Sequence, residues 1–170
     1  MREALSMPVS LALATACAVT YALFGPGAFA GEGLFESLLN AFRHAGLPHL
    51  VVNIALLLAA GFIVERAVGS SLTLLVICVG LLAATGIEHA AAGGQFVGIS
   101  GVAYSLIGAA VVIATSGTER LITLATLPFV VWLDAKLHSG PVAVFAHATG
   151  LVVGIAAGFL WQRARGLAHV

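Results

Sequence analysis

Ser100 stands between two glycines in the stretch Gly98-Ile99-Ser100-Gly101-Val102-Ala103-Tyr104. It follows Gly93-Gly94 and heads an apolar run that reaches about residue 115. A serine hydroxyl becomes a nucleophile when a nearby base takes its proton. In the first turn of a helix the backbone N–H groups have no partner inside the helix. Such donors hold an oxyanion while the serine attacks a carbonyl, and flanking glycines let a substrate backbone approach. A base is available in Ala146-His147-Ala148-Thr149-Gly150, and further donors in His49 and Asn53. The chemistry these residue types offer is acyl transfer. Taken alone, G-x-S-G is weak evidence, because small residues also mark membrane helices that pack closely.

The elements that must position these groups follow from composition. The 170 residues are 61% hydrophobic and 8% charged, with a mean hydropathy of +1.11. A soluble domain carries about 25% charged residues, so the chain reads as an integral membrane protein. The formal net charge is zero and no basic cluster occurs, which gives nucleic-acid binding no support. Cys17 and Cys78 both lie in apolar runs and read as small core residues, not as a disulfide or metal pair.

Crossing a bilayer takes roughly 17–25 mostly apolar residues per helix. Six segments qualify, at about 7–24, 48–64, 71–87, 98–115, 120–134 and 142–161, the fifth being short. Tight connectors separate them: Glu65-Arg66 to Gly69, Glu88-His89 to Gly94, Gly117 to Arg120, and Asp134 to Pro141. No internal repeat or soluble domain is visible. The expectation is an all-α, polytopic membrane protein, one six-helix bundle forming a single domain over 1–170. Arg2, the first apolar run and Ala28-Phe29-Ala30 resemble a secretory signal. The run is long for such a signal and the cleavage site lies well past its end, which favours a retained helix.

The longest connection covers residues 25–47. Leu34, Phe35, Leu38, Leu39 and Phe42 recur at helical spacing, with Glu32, Glu36 and Arg43 elsewhere, which predicts an amphipathic helix. It lies either in the outer interface or as a lid over the bundle. Orientation follows from the Lys/Arg bias. With the N-terminus inside, Arg2, Arg66, Arg120, Arg163 and Arg165 are cytoplasmic, against Arg43 and Lys136 outside. Trp161 and Tyr21 near segment ends fit an interfacial aromatic belt.

Polar groups inside a membrane are costly and default to functional candidates. With both termini inside, the second, fourth and sixth helices all start from the outer face. Pro48 and Pro141 suit first helical turns, and Asn53 and His147 then lie roughly 7–10 Å below the outer boundary. Ser100 lies near the top of the fourth helix. His49 and Asn53, four apart, share a helix face and can point at one oxygen. Tyr104 lies one turn below Ser100, either to stack on an imidazole of the sixth helix or as an ordinary packed aromatic. His44 precedes Pro48 and reads as a tie between loop and helix top. Gly150, Gly154 and Gly158 make a flat stripe for close helix approach, matched by Gly101, Ala103 and Gly108 on the fourth helix. Asp134 reads as a solvated helix end, so a Ser–His dyad is more economical than a triad.

At these residues the chain resembles a rhomboid intramembrane serine protease. The matching motifs are His44-x-x-x-x-His49-x-x-x-Asn53, Gly98-x-Ser100-Gly101-x-x-Tyr104 and Ala146-His147-x-x-Gly150-x-x-x-Gly154, in order on three helices. The resemblance covers about residues 35–160. It implies Ser100 as nucleophile, His147 as general base, and an oxyanion hole of His49, Asn53 and the Ser100 amide. It implies transmembrane protein substrates, cleaved within the lipid bilayer near its outer face, with no cofactor and no metal. The Trp-Arg pair common in the first loop of that family is absent, and Phe42-Arg43 is no clear substitute. Neither a cytosolic domain nor a seventh membrane helix is expected.

Two rival classes stand beside this reading. The same fold serves inactive relatives that bind and route membrane helices; those usually lack the serine or the histidine, and both are kept here. A haem or metal protein using His44, His49 and His147 is the other, but a glycine-flanked serine with an asparagine suits an anion better.

Overall fold

A computed structural model describes residues 7–31, 33–92, 96–114, 117–137 and 143–167. Among them every regular element is an α-helix, and there are seven: α1 Pro8–Phe24, α2 Leu34–Asn40, α3 Leu47–Val68, α4 Ser70–Ala92, α5 Ser100–Ile113, α6 Gly117–Leu137 and α7 Val144–Leu167. Leu47–Val68, Ser70–Ala91 and Val144–Gly166 are long and apolar enough to cross a membrane, and Pro8–Phe24 and Ser100–Ile113 are shorter apolar helices. Arg2, Glu32, Gly93, Gly94 and Pro141 lie outside the described residues.

The helices run further than apolar patterning predicts. Glu65 and Arg66 continue α3, Glu88 and His89 continue α4, and α6 reaches from Gly117 to Leu137, so it is not a short segment. Charged side chains with long stems are good helix formers, and a charge ends a hydrophobic run without ending the helix. What ends α3 is Gly69, at φ 81°, a backbone conformation that side chains rarely adopt. Cys78 is a further correction, exposed on α4, whereas Cys17 is buried.

The core is built on α5. Its fourteen residues span about 21 Å, well short of a hydrocarbon layer of about 30 Å, and all but Val111 are buried. A helix buried on every face is apolar all round, which fits this one. It packs most closely on α7, then on α3 and α4. Glycine makes the α5–α7 seam possible. A Cβ at Gly150 would collide with the Gly101 carbonyl, and one at Gly154 with the Ser105 carbonyl. The far end of α5 is closed by side chains: Gln162 Nε2 donates to Val112 O at 2.7 Å and Arg120 Nη2 to Ala114 O at 3.2 Å. These acceptors belong to the last turn, where carbonyls have no partner in the helix.

The long connection is pinned by polar groups. Arg43, buried, donates through Nε to Gly27 O at 2.6 Å and lies 4.4 Å over the Phe29 ring. Asn40 Oδ1 accepts from Phe29 N–H at 2.6 Å. In α2 the polar Ser37 and Asn40 face inward, and Leu34, Phe35 and Leu39 face out. Leu34, Phe35 and Leu39 of the apolar stripe read from the sequence therefore point away from the bundle, the arrangement that suits an apolar medium, whereas Phe42 packs on the core.

Candidate active site

Three helix beginnings meet at one end of the bundle. Ser100 is the first residue of α5, and its amide has no acceptor within the helix. Gly98, two residues earlier, has φ 114°. It also leaves space that no other residue would: a Cβ there would lie 2.8 Å from His49 Cε1, 3.0 Å from His49 Nε2 and 3.3 Å from Asn53 Nδ2. The tips of His49 and Asn53, one turn apart on α3, thus converge over Gly98 beside the start of α5. Ala45 N–H donates to His49 Nδ1 at 3.4 Å. A neutral imidazole that accepts at Nδ1 carries its proton on Nε2, the atom facing Gly98. Asn53 is buried, and its Nδ2 has no hydrogen-bond partner among the described residues.

His147 arrives from α7, one turn from its start, with its N–H bonded to Ala143 O at 3.0 Å. Its Nε2 lies 2.8 Å from Ser100 Oγ. The Tyr104 ring stacks on the imidazole with centroids 4.4 Å apart and planes 7° from parallel. Ser100 is buried and His147 half-buried. Gly101 and Gly150 keep the two backbones in contact just below this pair, and Gly154 continues that contact one turn further.

His44 is fully buried and meets His49 edge-on at 5.2 Å. Its carbonyl accepts from Gly27 N–H at 3.0 Å, which ties the connection to the top of α3. Burial pushes its imidazole down to about 4, partly opposed by the Phe42 carbonyl. Asp134 falls within α6, and its side chain lies outside the described residues.

One residue of this end escapes sequence reading. Glu88 reads as part of a connector, yet it sits inside α4, is 4% exposed, and accepts through Oε2 from Ala146 N–H at 2.8 Å. The available signal is an isolated carboxylate within an apolar helix, which needs a partner when buried. A cavity of about 490 Å³ lies toward the other end of the bundle, lined by apolar residues such as Val64, Leu72, Ile113 and Trp161. It has no polar group suited to the chemistry above.

The arrangement is able to move a proton from a hydroxyl to an imidazole while donors from α3 wait beside the attacked centre. A sequence profile of the rhomboid domain matches residues 31–164. The chain is 31% identical over 128 residues to the rhomboid protease GlpG of Enterobacter sp. (strain 638), covering 71% of this chain and 46% of that relative. It is 29% identical over 127 residues to the rhomboid protease GlpG of Klebsiella pneumoniae (strain 342), with the same coverage of 71% and 46%. The chain thus spans about half the length of the curated relatives it matches. With the profile covering most of its length, this chain belongs to the rhomboid family.

Proposed function

We propose that this chain is an intramembrane serine endopeptidase that cleaves transmembrane segments of other membrane proteins. The observation that carries the reading is the 2.8 Å approach of His147 Nε2 to Ser100 Oγ across the α5–α7 seam. In the mechanism, His147 takes the Ser100 proton as Oγ attacks the scissile carbonyl. The tetrahedral oxyanion forms over Gly98, where His49 Nε2–H, Asn53 Nδ2–H and the Ser100 amide donate to it. His147 then protonates the leaving amine, and the acyl group stays on Ser100. Water, activated by the same imidazole, releases the acid and restores the serine. Tyr104, stacked on the ring, holds its plane. No carboxylate is needed to complete this dyad.

In the same reading, α1 and α3 to α7 are six membrane helices of a single domain, and α2 lies in the outer interface with its apolar face in lipid. Both termini are cytoplasmic, in a bacterial cell membrane, and the site opens toward the outer face. Substrate enters from lipid, and α6, with exposed Phe129 and Trp132, is the gate. A substrate helix must unwind at the cut, so Gly, Ala or Pro near the scissile bond favours cleavage.

The test is covalent. An active-site fluorophosphonate should label the purified protein on Ser100, located by mass spectrometry, and Ser100→Ala should end cleavage of a reporter membrane substrate in liposomes. An adduct elsewhere, or undiminished cleavage by the variant, overturns the reading. Retention of both Ser100 and His147 in contact argues against a role limited to binding membrane helices.

A further inference from the structure

A helix normally begins with a residue whose side chain bonds the N–H of the second or third helical position. In α7 the preceding residue is Ala143, whose side chain has no acceptor to offer. The third helical residue is Ala146, and its N–H is taken instead by Glu88 Oε2 of α4, 2.8 Å away. The bond joins residues 58 apart in sequence and is buried. A carboxylate at a helix N-terminus also meets the positive end of the helix dipole, and a hydrogen bond to a charged acceptor is about twice as strong as a neutral one. The next residue after Ala146 is His147. Its own N–H closes the first turn of α7 onto Ala143 O. If that turn frays, the imidazole leaves Ser100.

We propose that Glu88 is the positioning residue of His147: a cap contributed by a neighbouring helix that fixes the first turn of α7 and so the distance from imidazole to Ser100. The proposal rests on the endopeptidase reading. Glu88 touches neither the substrate nor the reacting atoms. It acts through the backbone of the turn that carries the base.

The experiment compares wild type, Glu88→Gln and Glu88→Ala for the rate of fluorophosphonate labelling at Ser100, for kcat and KM on a reporter substrate in liposomes, and for thermal unfolding. Misplacing a catalytic group by about 1 Å costs about 10²-fold in rate. Labelling rate and kcat per folded enzyme should therefore fall about 100-fold in Glu88→Ala, with KM unchanged. Glu88→Gln keeps a weaker, neutral acceptor, and should fall measurably but by less than Glu88→Ala. A purely structural role would lower the unfolding temperature and leave kcat per folded enzyme at the wild-type value, which overturns the proposal. If Glu88→Ala does not fold, wild-type kcat in Glu88→Gln overturns it alone. Failure of the wild type to label removes the endopeptidase reading and this proposal together; labelling of all three proteins at one rate removes only this one.

Discussion

Glu65 and Glu88 are two buried glutamates that do one job at opposite ends of the bundle. Glu65, near the end of α3, accepts from Val9 N–H at 3.0 Å, Ser10 N–H at 3.1 Å, Ser10 Oγ at 2.8 Å and Ser70 Oγ at 2.8 Å. It caps α1, where Met7 contributes no side-chain cap. Glu88 caps α7, where Ala143 contributes none. In each case the acceptor reaches the third residue of a helix from another helix, so the cap is also an interhelical bond. The consequences differ because of what the capped helix carries. Among the described residues nothing reactive lies near the start of α1. The start of α7 carries His147. One device therefore sets stability at one end and, in the proposed enzyme, rate at the other. The polar groups differ in the same sense. Around Glu65 the carboxylate is fully engaged, whereas at the other end Asn53 Nδ2 waits without a partner among the described residues. A buried polar group left unbonded costs stability and is a sign of a site kept for something else.

The sharpest division between the two ends comes from the dyad itself. Ser100→Ala or His147→Ala should lower kcat by about 10⁶-fold, because such a pair acts as a unit, while the unfolding temperature stays near wild type. Cleavage assays and thermal unfolding on the same preparation check this. A large loss of stability in either variant would blur the distinction. Next, Asn53→Ala should cost about 10²–10³ in kcat, the usual loss of one oxyanion donor, with KM nearly unchanged. It should not destabilise the fold, because its Nδ2 bonds nothing among the described residues in the resting protein.

At the opposite end, Glu65→Ala should cost about 1–3 kcal/mol of stability, the penalty for leaving buried donors unsatisfied, measured by denaturant unfolding. Labelling of Ser100 per folded molecule should be unchanged, and a slowed rate would show that the two ends are coupled. An effect that appears only as pH falls concerns His44, which is pushed down to about 4 by burial, against an ordinary value of about 6.5. Between these values the unfolded chain binds a proton that the folded chain does not. The contribution of neutral His44 is thus complete above about pH 6.5 and is lost progressively as pH falls toward about 4. Unfolding temperatures at pH 7 and pH 4.5 should differ less in His44→Leu than in wild type.

Much of this was readable from the chain. The all-helical class, the helix in the long connection and the order of the three motifs are all local patterns, set by hydropathy and helical spacing. The pairing of His49 with Asn53 was readable for the same reason, since residues four apart share a helix face. Apolar patterning misplaces the helix ends at Glu65, Glu88 and both ends of α6, because a charge ends the apolar run without ending the helix. The outward turn of Leu34 and Phe35 required a structure, since periodicity identifies an apolar face and not the direction it points. Glu88 was missed because capping partners 58 residues apart leave no trace in spacing.

Sequence alone determined the chemistry on offer, an apolar all-helical chain carrying a glycine-flanked serine, two donors on one helical turn and a distant histidine. Those are properties of residue type and of intervals within single helices, where backbone geometry is invariant. Only the tertiary structure decided that Ser100 and His147 lie 2.8 Å apart, that Gly98 leaves room under His49 and Asn53, and that Glu88 accepts from the Ala146 N–H in the turn bearing His147. Each is a relation between different helices, governed by how closely glycine lets two backbones approach, and no interval along one helix contains it.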